Sequence, residues 1–281
     1  MNWKGIFVGL GLTASLAGCL PSSSAEQDEE ALTAFIERAK AQMVFVEGGT
    51  FLMGDQPSER GLYHTLEQDN KPAVEVTLDS FSIGAFEISY EEVDFYTEYH
   101  GLPKFIDQHY YRDQYWRAPE YPAGISWNGA KNYCLWLAEL TGLPFDLPTE
   151  AQWEYAARNR GEFVIFATDD GTINRGVNYS EYTPHPRPSG TFPPNPLGLY
   201  DMSGNMEEYV NDWYAEDYYQ FGPFQNPTGP DSGNYKVLRG GSFAESPSAS
   251  NVFLRLKEED TDQAYTISGF RCAVNSTDPI Q

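Results

Sequence analysis

The segment Gly198–Tyr214, GLYDMSGNMEEYVNDWY, sets Asp201, Glu207, Glu208 and Asp212 between glycines and a closing run of aromatics. Carboxylates this near one another repel unless something positive lies between them. The whole chain shares that imbalance, with a formal charge of −23 over 281 residues. A solubilising surface is one reading of the acidity and cation binding is the other. Binding of DNA or RNA is excluded, because phosphate neutralisation needs Lys and Arg clusters that the chain lacks.

The second chemical feature is Cys19. Lys4 gives a basic start, and Gly5 to Gly18 is an apolar run too short to span a bilayer as a stable helix. It suits a secretory signal. It ends in Leu16-Ala17-Gly18-Cys19, which resembles the bacterial lipobox, where cleavage precedes a cysteine that becomes acylated. Several acyl chains on one residue anchor stably, each buried methylene contributing about 0.8 kcal/mol. Leu20, where an Asp would resemble an inner-membrane retention signal, leans the location towards the outer membrane, facing the periplasm. With Cys19 lipidated, Cys134 and Cys272 remain of the three cysteines. An even remainder in an oxidising compartment favours one disulfide; two separate buried thiols are the alternative.

The elements that must position these residues follow from patterning. Residues 1–18 read as the signal peptide, 19–42 as the lipidated anchor and tether, 43–276 as one domain and 277–281 as a tail. Within the tether, Leu32, Phe35, Ile36 and Ala39 recur at helical spacing, so a short one-sided helix rests on the domain. Val44–Phe51 reads as strand, turn, strand, and Ala73–Phe86 as a half-buried strand. Ser126–Gly142 reads as a helix with Ala130, Tyr133, Cys134, Leu137 and Ala138 on one face and Gly142 as its C-cap. Thr149 and Gln152 form a capping box, followed by Trp153, Ala156 and Ala157 on one face. Residues 162–236 are rich in Gly, Pro, Asn, Asp and Tyr, and an irregular stretch of that length is usually functional or held by a staple such as a disulfide or a bound cation. Val237–Phe243 and Ser268–Val274 read as the last strands.

Six separated motifs point to one family. They are Phe45–Gly54 (FVEGGTFLMG), Ile125–Trp127 (ISW), Leu147–Arg158 (LPTEAQWEYAAR), Gly198–Asn205 (GLYDMSGN), Arg239–Ser242 (RGGS) and Gly269–Ala273 (GFRCA). In this order they resemble the sulfatase-modifying-factor domain of the formylglycine-generating-enzyme family. The resemblance implies a single α+β domain, related to C-type lectins, with much irregular structure. It implies a structural Ca²⁺ held by the carboxylates of Asp201 and Glu208 and the carbonyls of Gly204 and Met206, a set of hard oxygens that suits the ion. A second calcium site is matched only at Asn178-Tyr179, because the loop from Ser180 to Pro194 lacks its later acidic ligand. The resemblance also pairs Cys134 with Cys272.

The chain departs from the family where its chemistry is done. Formylglycine generation needs two cysteines after the Arg-Gly-Gly-Ser strand, which bind copper as thiolates, soft ligands for Cu(I). The matching positions here are Glu245 and Ser250, so neither copper nor that activity is expected. An iron-binding branch carries His-x-x-x-His-x-Glu, and His64, His100, His109 and His185 do not fall at that spacing, so no iron or haem site is identified. The segment usually written Asn-x-Trp-Glu-Trp becomes Asn205-Met206-Glu207-Glu208-Tyr209. Periplasmic relatives that oxidise a peptide siderophore precursor also lack the cysteines. That makes Glu245 the catalytic candidate, in a pocket with Ser242 and Ser250, where burial of a carboxyl favours acid–base work; a solvated loop residue is the alternative. The expected function is a lipid-anchored periplasmic binding or scaffold component with an envelope protein as partner. The alternative is a periplasmic oxidoreductase or maturation enzyme on a peptide-like substrate.

Overall fold

The structure is a computed structural model that describes residues 24–105, 117–180, 183, 185–259 and 261–280. The readings made on the leader, Cys19 and His109 lie outside the described residues.

The tether segment forms helix α1 (Ser24–Ala41), and its apolar spacing decides how it sits. Phe35 and Ala39 are buried, and the Phe35 ring stacks on Phe95 at 4.4 Å. Strands β1 (Met43–Val46) and β2 (Gly49–Met53) follow, as the strand–turn–strand pattern predicts. The run read as one strand over residues 73–86 is two, β3 (Val74–Leu78) and β4 (Phe81–Gly84), which join different sheets. Long-range partners make the break: the Asp79 amide donates to Asn226 Oδ1 and the Gly48 amide to Ser80 Oγ. All four residues of β4 are buried, so its pattern is not alternating.

Caps fix the helices that carry the core. Helix α2 (Tyr90–Tyr99) starts on a Ser89–Glu92 capping box. Helix α3 (Trp127–Thr141) runs from Ser126 to Gly142, whose φ of 69° is the left-handed geometry glycine tolerates. After the short β5 (Phe145–Asp146), helix α4 (Glu150–Ala157) starts on the Thr149–Gln152 box. Every residue of α4 is buried, not one face alone, because β2, β3, β6 (Glu207–Trp213) and β8 (Lys236–Arg239) surround it.

The remaining strands are β7 (Phe224–Gln225), β9 (Leu256–Glu258), β10 (Ser268–Gly269) and β11 (Ala273–Val274). They complete three sheets, in the orders β1-β4-β11-β5, β10-β6-β8-β9 and β2-β3-β7. The expected closing strand over residues 268–274 is thus two strands in two sheets, divided at Phe270-Arg271-Cys272. That short link carries one end of the Cys134–Cys272 disulfide, which joins α3 to the C-terminal segment across 138 residues. No helix of the described residues is long and apolar enough to cross a membrane.

Buried guanidiniums staple the irregular region. Arg239 pairs with Glu150 and Glu154, Arg255 with Glu150, and Arg158 with Glu154. The same arginines donate to loop carbonyls: Arg158 to Leu52 and Glu162, Arg239 to Val252, and Arg255 to Asp69 and Ala215. Strands this short leave many backbone acceptors without ladder partners, and a five-donor fork satisfies several at once. Buried arginines of the chain itself thus act as staples beside the Cys134–Cys272 disulfide.

Candidate functional site

The four acids of the Gly198–Tyr214 segment go to different partners. Strand alternation separates the adjacent pair, since successive side chains on β6 point to opposite faces. Glu208 turns to the guanidinium of Arg271, which grips it in a fork at 2.7 and 2.6 Å, while Trp153 Nε1 donates to it at 2.9 Å. Glu207 turns to Ser268, whose hydroxyl donates at 2.6 Å. Burial lifts Glu207 to about 7, with the charges of Glu245 and Glu258 adding to the shift. Asp212 accepts the Glu150 amide at the start of α4. Burial, then the Glu150 charge, lifts it to about 7.

Asp201 sits at the bend that opens the segment. Asp201, Gly204 and Asn205 all have positive φ, at 58°, 96° and 62°, so the chain winds tightly there. Gly204 cannot carry a side chain, because a Cβ would meet the Tyr179 ring at 2.5 Å. The Asp201 carboxylate accepts the Gly190 amide at 2.7 Å, and burial lifts it to about 6. A further acid joins it. Glu87 accepts from Ser189 Oγ, Asn205 Nδ2 and the Met206 amide. Its pKa is raised well above the ordinary value by burial, then by Asp201 and Glu208. Glu87, Asp201 and Glu208 thus lie around Arg271, which lowers the pKa of the first two.

Arg271 is the main answer to the repulsion. The metal set read from the resemblance, Asp201, Gly204, Met206 and Glu208, falls on this one bend, but both Glu208 oxygens already accept bonds from Arg271 and Trp153. Among the described residues, no group of three or more His, Cys, Asp or Glu side chains is placed to hold a metal ion. The chemistry of the set still suits a hard cation, since it offers only carboxylates and carbonyls and three acids share one guanidinium. Asn178, in the matched half of the second calcium site, donates through Nδ2 to Asp169, Asp170 and the Thr172 carbonyl, and its Oδ1 accepts the Asn174 amide at 2.7 Å.

The residues after Arg239 form a separate pocket. Gly240 and Gly241 turn the chain with φ of 92° and 67°, and a Cβ on Gly241 would strike the Ala249 carbonyl at 2.6 Å. The loop so formed closes on itself: the Ser242 amide donates to Glu245 Oε2 at 3.2 Å and the Glu245 amide to the Ser242 carbonyl. A cavity of about 270 Å³ opens beside it, lined by Arg175, Tyr179, Ser180, Phe243 and Ala244–Pro247. Glu245 is on that wall. Ser250 is fully buried, 2.8 Å from the Tyr179 hydroxyl, and Ser242 is buried beneath the loop. Neither serine lines the cavity; Ser250 bonds to Tyr179 and Ser242 to Glu245, which do. The two described cysteines are bonded to each other, in the core.

Glu87, Arg271, Arg175 and Glu207 were given no role by sequence reasoning. Glu87 carried a signal, as the only charge in the run Phe81–Tyr90. A lone acid inside an apolar run is buried, and a buried acid has partners.

The raised acids set a pH dependence. Glu207 and Asp212 bind protons more tightly folded than unfolded, so their contribution to stability is full below about 4 and lost as pH rises through about 7. The lowered pKa of Glu150 acts only below the ordinary carboxylate range, and Lys236, pulled to about 8, adds stability only above that pH. Thermal melts in chelator are therefore expected to fall between about pH 5 and 7.5. The variant Asp212→Asn, which keeps an acceptor for the Glu150 amide, should flatten that fall; an unchanged slope would refute the assignment.

Comparison with known proteins agrees with this architecture. The family model for the sulfatase-modifying factor enzyme 1-like domain matches residues 30–276. The serine/threonine-protein kinase pkn1 of Chlamydia caviae is 29% identical over 251 residues, which cover 83% of this chain and 38% of that protein. The chain thus spans well under half the length of the first curated relatives it matches. The formylglycine-generating enzyme of Mus musculus is 28% identical over 295 residues, covering 84% of this chain and 76% of the enzyme. Among solved structures, PvdO from Pseudomonas aeruginosa superposes with a TM-score of 0.69 at 27% identity, over 83% of this chain and 94% of that one.

Proposed function

The chain belongs to the sulfatase-modifying factor enzyme 1-like family, and from that premise we propose that it is a member without formylglycine-generating activity, serving as a binding or scaffold component of a bacterial envelope assembly. The observation that carries this reading is the pocket after Arg239. At the positions where the family chemistry needs thiolates, the loop offers Glu245 and a buried Ser250 hydrogen-bonded to Tyr179. Carboxylate and hydroxyl oxygens are poor ligands for Cu(I). The signal pattern and Cys19 support a lipid anchor on the periplasmic side of the outer membrane, and such an anchor suits a fixed part of an assembly. The test is whether the chain copurifies with stoichiometric envelope proteins after crosslinking in intact cells.

One observation favours a second reading, a periplasmic oxidoreductase or maturation enzyme on a peptide-like substrate. Glu245 and Arg175 line one cavity, and among the described residues Glu245 Oε1 and the Arg175 guanidinium have no hydrogen-bond partner. A carboxylate with one oxygen anchored and one open is suited to moving a proton. The two readings divide on Glu245→Gln, which is neutral for a scaffold and abolishes turnover for an enzyme.

The bend at Asp201 is proposed to hold Ca²⁺ through Asp201, Glu208 and the carbonyls of Gly204 and Met206, with Glu87 alongside. Bound calcium would supply structural charge neutralisation there, not reaction chemistry. Removal with EGTA should lower the melting temperature, by a margin that grows with pH as Asp201 ionises through about 6. Unchanged melting in EGTA, together with no calcium in elemental analysis of native protein, would sink the assignment.

A further inference from the structure

A second groove lies away from both sites. It holds about 360 Å³ and gathers five chain segments: the β3–β4 turn at Asp79, β5 and the start of α4 at Asp146 and Thr149, β6 at Asn211, the residues after β7 at Asn226, and those after β11 at Asn275. That volume falls in the range of small-ligand sites. Most of its lining residues carry amides, hydroxyls or carboxylates, and Leu78, Leu147 and Pro227 are its apolar residues.

Asn226 and Gln152 have both edges of their amides committed to the protein, whereas Asn211, Asn275, Asp79 and Asp146 share another arrangement, in which one edge is committed and the other is open. Asn211 Oδ1 accepts from Lys131, leaving its Nδ2 free. Asn275 Oδ1 accepts from Gln152, leaving its Nδ2 free. Asp79 Oδ2 accepts from Asn226, and Asp146 Oδ1 from Lys131 and the Leu147 amide, leaving Asp79 Oδ1 and Asp146 Oδ2 open. The hydroxyls of Thr228 and Thr277 have no partner among the described residues. Donors and acceptors are thus fixed in direction before any ligand arrives, which lowers the cost of ordering them.

We propose that this groove binds a neutral carbohydrate. A ligand there must meet amide donors and carboxylate acceptors within one small space. The hydroxyl group both donates and accepts, so neighbouring sugar hydroxyls can bridge an amide N–H to a carboxylate oxygen. Asp79 and Asp146 disfavour anions, and the amide donors beside them disfavour a simple cation. The open groups come from five separate segments and do not line up along one strand edge, as an added peptide strand would need.

The test is saturation-transfer NMR on the full chain with neutral hexoses, N-acetylhexosamines and their disaccharides. Transfer to at least one sugar is expected. The Asp79→Ala/Asn275→Ala double variant should bind it at least about tenfold more weakly, from the loss of two directed hydrogen bonds. Both side chains are exposed, so the melting temperature should hold and a folding defect is separable from lost binding. Glu245→Gln should bind sugar as the parent does, which keeps this site apart from the pocket after Arg239. Silence across the whole panel overturns the proposal. So does transfer that survives the double variant, or transfer only to an extended peptide.

Discussion

Replacing Arg271 with methionine should lower the melting temperature by about 6–20 °C. Arg271 is fully buried and forks onto Glu208, and it also donates to the carbonyls of Gly84, Ala85 and Tyr200. Removing one partner of a buried pair leaves the other charge uncompensated, at a cost of about 3–5 kcal/mol. For a domain of this size each kcal/mol moves the midpoint by roughly 2–4 °C. Here the orphaned charge also faces Glu87 and Asp201, so three acids lose their shared cation. Arg271→Lys should recover little, because an ammonium cannot reproduce the fork. Adding Glu208→Gln to Arg271→Met should recover part of the loss, since the stranded charge is then gone. Melting within about 2 °C of the parent for Arg271→Met would mean that the cluster is not a support of the fold.

Loss of the Cys134–Cys272 disulfide should have an effect of comparable size. The bond closes a loop of 138 residues, and the chain-entropy account values such a closure at about 5 kcal/mol. Both cysteines are buried in the cluster that holds Phe270, Tyr133 and Tyr209, so the bond also fixes α3 against the link between β10 and β11. That link carries Arg271, so the double variant Cys134→Ala/Cys272→Ala should weaken the arginine cluster as well. Denaturant unfolding of oxidised parent and double variant measures the difference. Two alkylatable thiols in native exported protein would remove the bond from the account altogether.

What the sequence made legible was what local chemistry decides. The Thr149–Gln152 box and the Ser126-to-Gly142 helix announce themselves, because caps are contacts between residues a few positions apart. The family motifs carried the fold, and the resemblance named the disulfide pair. The ion pairs were not legible. Glu208 and Arg271 meet across 63 residues, and Glu150 and Arg255 across 105. No local pattern distinguishes those acids from solvated ones. The same holds for the break between β3 and β4, which depends on Asn226, 147 residues away from Asp79. The resemblance marked Asp201 and Glu208 of Gly198–Tyr214 as ligands, whereas the buried arginine between them was visible only as one letter of a motif.

The central claim is that this domain keeps the family fold and uses it for binding. Crosslinking of intact cells carrying the full chain or its Glu245→Gln variant, followed by capture and mass spectrometry, tests it most directly. The account predicts one stoichiometric set of envelope proteins, the same in both. Capture without a partner, together with a periplasmic peptide product that disappears in Glu245→Gln, would contradict it and make the domain an enzyme.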